Sequence, residues 1–255
     1  MEPYHFIKMD EKMEKLKVLF LTCAYPPQKY PRSIQISHLV QYLRKEICLE
    51  VVTSCPMDRG DQSLLNFTPF DNVHYAQKSR LTTFIDNAKG HRIKKAILPD
   101  LSYPWHFDLF KKTANMINEF GADFIVTFGQ PMSTHIAGLK LKKKFPHLKW
   151  AAHFSDPWID NVFNDDNAWV KIVNKYYQDA VFRYASKLVF TSNETIDLVM
   201  KEYSSLIKLK AVVLPHIFDQ SIYSIEETLS KTRVPFIIRY LGNFYGNRQP
   251  SFLFE

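Results

Sequence analysis

The sequence predicts an α/β fold in which a parallel sheet carries helices on both faces. Three observations lead there. Short apolar runs recur along the chain and are broken by charge. Each run ends in loop-forming residues, and most are followed by a stretch whose apolar residues fall at helical spacing. Strands and helices that alternate in this way build βαβ units, whose strands lie parallel in one sheet.

Lys17 to Thr22 (KVLFLT) reads as the first strand, followed by the loop breakers of Ala24 to Pro31 (AYPPQKYP). Ile36, Leu39, Val40 and Leu43 then mark a helix, and Glu50 to Ser54 (EVVTS) the next strand. From about Asp58 to Tyr103 periodicity fails, and Gly60, Pro69, Gly90 and Pro99 point to a long excursion holding one or two helices. The alternation resumes at Asp123 to Phe128 (DFIVTF), with Ser133 or Thr134 expected to cap a helix running through Leu141. Trp150 to Phe154 is a further strand, Trp169 to Ala185 a long helix, Leu188 to Thr191 a strand, Glu194 to Tyr203 a helix and Val212 to Leu214 a last short strand. A polar connector, Asp219 to Arg233, then leads to Phe236 to Leu241 (FIIRYL), which opens onto Gly242. The expected division is therefore a domain over residues 1–215, a linker over 216–235, and the first strand and turn of a second domain over 236–255.

With 255 residues, 46% of them hydrophobic, the chain can bury a sizeable core. No apolar run approaches the roughly 18 residues of a membrane span, and Met1 to Lys17 is too polar for a secretory signal, so the cytoplasm is the expected address. Cys23, Cys48 and Cys55 form no CxxC pair and lack a histidine at zinc-ligand spacing, which predicts reduced thiols in or near the core and no structural metal. The net charge of +7 favours partners with phosphate, whether nucleic acid, an anionic membrane surface or a phosphorylated small molecule, and does not choose among them. Basic residues cluster at Lys89 to Lys95 and at Lys140 to Lys149, as on a solvated or membrane-facing helix surface.

Ligands of an open parallel sheet bind beyond the carboxyl ends of its strands. The segments to weigh are Tyr25 to Ser33, Phe128 to Thr134 with Gln130, His153 to Trp158, and Ser192 to Glu194. The predicted first domain has no GxGxxG, GxxxxGK[ST] or GxSxG, which disfavours a dinucleotide dehydrogenase, a P-loop NTPase and an α/β-hydrolase. Arg32 and Ser33 stand at a helix start, where they either clamp an anion or serve as a cap and a solvated arginine. His153 is either a ligand-facing group or a buried strand-end histidine, and Asp156 either accepts hydroxyls or holds a loop. Trp158 either packs or stacks on a sugar ring, and Glu194 either bonds a hydroxyl or simply begins a helix.

The order of KVLFLTCAYPP, PRSIQISHLVQYL, ADFIVTFGQPMSTHIAGLKLKK, WAAHFSDPW, RYASKLVFTSNETIDLVMKEY and YLGNFYGNRQPSFLFE resembles glycosyltransferase family 4 and its relatives of the GT-B fold. The likeness spans nearly the whole chain. It departs in the first loop, often glycine-rich in the family, where Gln28, Lys29, Tyr30, Pro31 and Arg32 stand here.

The resemblance implies an acceptor-side Rossmann-like domain followed by the start of a donor-binding one. It implies transfer of a sugar from a nucleotide-diphosphate sugar to a carbohydrate or lipid-linked acceptor in polysaccharide or glycoconjugate synthesis. Configuration would be retained, with neither metal nor cofactor. His153 would sit beside the transferred sugar with Asp156. Gly242, Asn243 and Arg248 would hold donor phosphate, with Asn243 standing where the family commonly has a second basic residue. Arg32, Ser33, Gln130, Trp158 and Glu194 would line the acceptor side. Nucleic acid is not an expected partner, an anionic membrane face is, and the chain by itself is expected to be inactive. A catalytically silent binding or partner subunit and a nucleotide-sugar epimerase are the rival expectations.

Overall fold

A computed structural model describes residues 15–55, 60–87, 99–159 and 168–218. Among them seven strands form one parallel sheet: β1 Lys17–Leu21, β2 Cys48–Ser54, β3 Val73–Ala76, β4 Phe124–Phe128, β5 Lys149–Phe154, β6 Lys187–Phe190 and β7 Ala211–Val213. Their order is β3-β2-β1-β4-β5-β6-β7, so the chain first winds outward from β1 and then returns to its other side at β4. That reversal between β1 and β4 is where an open sheet leaves a crevice.

The helices are α1 Pro31–Leu43, α2 Ser63–Phe67, α3 Arg80–Asn87, α4 Trp105–Met116, α5 Ser133–Lys144, α6 Ala168–Tyr184, α7 Asn193–Met200 and α8 Ser205–Lys208. A single wider turn, Ile117–Gly121, extends α4 and leads into β4.

Successive strand residues point to opposite faces, and β1 serves two cores. Val18 and Phe20 join Ile36 and Val40 of α1 on one face, while Leu19 and Leu21 join Leu109 of α4 and Ile136 of α5 on the other. Both faces being covered explains why the strand reads as an unbroken apolar run. On the second face the Trp150 indole is fully buried and donates to Thr127 Oγ1 at 2.8 Å. Gly138 lets α5 lie close there, since a Cβ on it would stand 2.7 Å from Thr127 and 2.8 Å from Trp150.

Three expectations are corrected. The excursion after β2 contributes α2, α3 and a seventh strand, β3, which pairs with β2 at the sheet edge. Ser133 and Thr134 do not cap α5; both are fully buried, and it is Asp100 Oδ2 that accepts from Ser133 N at 2.8 Å. That places a carboxylate at the positive end of the helix dipole, the position it favours most. Cys48, at the start of β2, is an exposed thiol rather than a core one. The basic cluster at Lys89 to Lys95 and residues 219–255, with all but the first three residues of the expected 216–235 linker and the second-domain strand, lie outside the described residues. Among the described residues no helix is long and apolar enough to cross a membrane.

Candidate active site

Parallel pairing of β4 with β5 sets Phe128 beside His153, and the chain then joins the two loops that follow. Gly129 N donates to His153 O at 2.9 Å. Glycine is required at this point, because a Cβ would lie 2.8 Å from His135 Nε2 and 3.0 Å from Met132 Sδ. The next residue, Gln130, adopts a left-handed φ of 61°. A side chain pays about 1 kcal/mol or more for that conformation, so such a residue marks a site held in place by its surroundings. From there its side-chain amide donates to Asp156 Oδ2.

Arg32 enters from the first turn of α1. It is not the solvated arginine that one reading of the sequence allowed: only 8% exposed, it lies over the Phe128 ring at 5.4 Å and donates from Nη2 to His153 Nδ1 at 2.9 Å. A guanidinium has donors only, so Nδ1 must accept and the His153 proton resides on Nε2. Burial is the main force lowering Arg32 to about 10, a drop that the Asp156 carboxylate opposes. His153 is lowered to about 3, first by burial, then by the charges of Arg32 and His216. At neutral pH it is therefore an uncharged N–H donor, fixed in one tautomer, and a poor proton acceptor.

Arg32, Gln130, His153 and Asp156, drawn from three separate segments, thus form one connected group at the carboxyl ends of β4 and β5. It opens in two directions. Towards Pro215 and His216, which follow β7, lies a cleft of about 20 Å³ lined by Arg32, Phe128 and His153, room for about one water. On the other side, beyond β1, β2 and β4, is a cavity of about 1170 Å³ whose wall includes Lys29, Arg32, Ser54, Lys78, Trp105 and Gln130.

The remaining candidates stand apart from this group. Trp158 is buried against His135, and its indole N–H donates to Asn174 Oδ1 at 3.2 Å, so its ring is core and offers no face to a sugar. Glu194 is exposed in the first turn of α7, where Ser192 caps by accepting from Thr195 N; the helix-start reading describes it. Ser33 is fully buried beneath the start of α1 and its hydroxyl has no partner among the described residues. Gly242, Asn243 and Arg248 fall outside the described residues.

Sequence reasoning missed two histidines. His216, exposed, lines the same small cleft as His153. His135 is fully buried behind Gly129, shares a hydrogen bond between Nδ1 and Thr127 Oγ1 at 2.8 Å, and presents Nε2 towards the Gly129 backbone. Its place in the first turn after FGQP was the available signal.

No protein-family model matches the chain, and no curated protein matches it either. Solved structures do. UGT2 of Phytolacca americana, complexed with UDP-2-fluoro-glucose and pterostilbene, is 9% identical with a TM-score of 0.52 over 83% of this chain and 56% of its own. The UDP-GlcNAc 2-epimerase of Neisseria meningitidis, bound to UDP-GlcNAc, is 11% identical with a TM-score of 0.51 over 78% and 45%. The lipopolysaccharide outer core galactosyltransferase WaaB is 16% identical with a TM-score of 0.49 over 78% and 45%. The chain spans about half the length of these structures. At such identities the likeness concerns fold alone, and the fold is a GT-B-like, Rossmann-like amino-terminal domain.

Proposed function

We propose that this chain supplies the acceptor-side domain of a glycosyltransferase that moves a sugar from a nucleotide-diphosphate sugar to a carbohydrate or lipid-linked hydroxyl. The observation that carries the reading is the connected group of Arg32, Gln130, His153 and Asp156 at the strand ends. In the transfer the acceptor oxygen bonds to the anomeric carbon as the bond to diphosphate breaks, and the hydroxyl proton passes to the departing phosphate oxygen. Such a step needs oriented donors and positive charge more than a strong base. His153, neutral with Nε2–H outward of its Arg32 bond, is suited to donate to a sugar hydroxyl, while Asp156 is suited to accept from one. Within this reading residues 1–215 form the acceptor domain, 216–235 the linker and 236–255 the first turn of the donor domain, where Gly242, Asn243 and Arg248 hold phosphate. Retention, independence of metal, and inactivity of this chain alone belong to the same proposal.

A second reading, a nucleotide-sugar epimerase, is favoured by one specific observation: the fold matches the Neisseria epimerase as well as it matches UGT2. The test is to incubate the full gene product with a panel of nucleotide sugars, with and without carbohydrate and lipid-linked acceptors. Acceptor-dependent release of nucleoside diphosphate supports transfer. Interconversion of nucleotide sugars without acceptor supports the epimerase, and neither outcome supports a silent binding subunit.

A further inference from the structure

We propose that Gln130 is a positioning residue: its side-chain amide holds the Asp156 carboxylate so that one oxygen is left for a ligand hydroxyl. The proposal rests on the glycosyltransferase reading and deepens it, by naming the group that sets the direction of Asp156. The starting point is a residue type that the backbone does not favour. Gln130 stands at a φ of 61°, in the left-handed region that glycine enters freely and asparagine more readily than most side chains. Glutamine, one methylene longer than asparagine, lacks the local backbone bond that helps asparagine there.

The conformation is imposed from both sides. Gly129 N donates to His153 O at 2.9 Å and Ser133 N to Asp100 Oδ2 at 2.8 Å, so the chain between them is pinned at each end. A second glycine would follow that path at lower cost. Burial does not offset the difference, because Gln130 is exposed, and among the described residues its side chain bonds Asp156 Oδ2 alone. Strain kept at an exposed residue with a single side-chain contact points to that contact as its use.

Asp156 has reason to need the restraint. Its charge is felt by Arg32, whose pKa it holds up against burial, yet among the described residues no ion pair joins the two, and Arg32 Nη2 is engaged with His153 Nδ1. With Oδ2 accepting from Gln130, the carboxylate is turned to the loop after β4 and Oδ1 keeps no partner among the described residues. Without Gln130 it can rotate and close on Arg32, which would draw the guanidinium off the imidazole. Gln130 also lines the large cavity, which Asp156 does not, so it is the link between a ligand seated there and the carboxylate. Fixed direction matters at such a point, since a displacement of about 1 Å near the reacting atoms can cost on the order of a hundredfold in rate.

Two measurements test this. In ¹⁵N–¹H spectra of the 255-residue chain, one Nε2 proton of Gln130 is expected downfield and slow to exchange, and Asp156→Ala should return it to the position of an ordinary exposed glutamine amide. In the full gene product, Gln130→Gly should lower kcat for transfer at least about tenfold while the acceptor KM changes less than about twofold. Its melting temperature should equal or exceed the parent's, because glycine relieves the left-handed φ. Gln130→Glu keeps the length and volume of the side chain but has no proton to donate at neutral pH, so it should lose kcat as Gln130→Gly does. A Gln130 amide resonance indifferent to Asp156→Ala overturns the proposal. So does full kcat in either variant, and so does a Gln130→Gly that melts well below the parent, since the side chain then serves the fold. Full transfer by the variants sinks this inference and spares the transferase. A parent that transfers nothing sinks the transferase, while the amide resonance still decides whether Gln130 holds Asp156.

Discussion

Arg32 and His153 are 121 residues apart in sequence and joined by a 2.9 Å hydrogen bond that holds the imidazole neutral with its proton on Nε2. Arg32→Met removes both the donor and the charge. The His153 pKa then rises and the other tautomer becomes populated. In ¹⁵N NMR spectra of the imidazoles between pH 5 and 8, His153 of the unmodified chain is expected to show no titration and a protonated Nε2 throughout. A wild-type His153 that titrates near its ordinary value of about 6.5 would show that this bond does not form.

In the full gene product, His153→Ala should lower transfer at least about tenfold, equivalent to roughly 1.4 kcal/mol of transition-state stabilisation. It also strands Arg32 Nη2 in a buried site, at a cost of about 1–3 kcal/mol in stability. The two effects are separated by measuring turnover well below the variant's melting temperature. Unchanged turnover in a folded variant removes His153 from the site.

Asp100 caps α5 from 33 residues upstream. Asp100→Ala should cost about 1 kcal/mol, read by denaturant unfolding, with faster amide exchange concentrated in the first turn of α5. Unaltered exchange at Ser133 to Ile136 would mean that the helix start is satisfied otherwise.

Acid should destabilise the domain well before its carboxylates titrate. His106 is lowered to about 4, chiefly by burial, and His153 to about 3. Both folded values lie below the unfolded value near 6.5, so the unfolded chain binds more protons in between. Stability is complete above about pH 6.5 and falls as pH drops, by roughly 1.4 kcal/mol per pH unit for each such group. His106→Leu should make the slope between pH 4 and 6 shallower by about that amount; an unchanged slope would show that His106 is protonated in the folded state.

The basic last turn of α5, Lys142 to Lys144, lies near the exposed aromatic Tyr184, over whose ring Lys143 Nζ sits at 5.2 Å. Association with anionic vesicles is expected, weakened by salt and by Lys143→Glu with Lys144→Glu, since each basic residue at such a surface contributes about 1 kcal/mol. Equal partition onto neutral vesicles would argue against an anionic membrane partner.

What was legible in the sequence was whatever the sheet buries on both faces. β1, β2, β4, β5 and β6 read as apolar runs because most of their side chains are buried on both faces, and their loops were named because ligands gather at strand ends. β3 escaped notice as a four-residue edge strand, VHYA, with one fully buried side chain. α4 carried no reading, although Trp105 and Leu109 are both buried one turn apart. The cap of α5 was assigned to the nearest hydroxyls because local sequence cannot reveal a carboxylate arriving from the excursion. Trp158 illustrates the same limit: its buried partner Asn174 is sixteen residues away on α6, and nothing near WAAHFSDPW announces it. Arg32 and His153 were each singled out, but their contact depends on how α1 crosses the ends of β4 and β5.

The bond from Gly129 to His153 and that from Gln130 to Asp156 tie together loops borne by central strands, whereas Gly60, Asp61, Lys78 and Ser102 of the cavity wall come from the excursion. The strand-end group and the far wall of the cavity thus come from separate pieces of chain. A foreign segment grafted between β2 and α4 would redraw the far wall and leave the loops after β4 and β5 untouched. Two conditions attach to such a graft: it must supply an edge strand in place of β3, which pairs with β2, and return a carboxylate to the position of Asp100, without which the helix below Gln130 loses its cap. Within those two constraints, the far wall of the cavity can vary while the loops that hold His153 and Asp156 stay as they are.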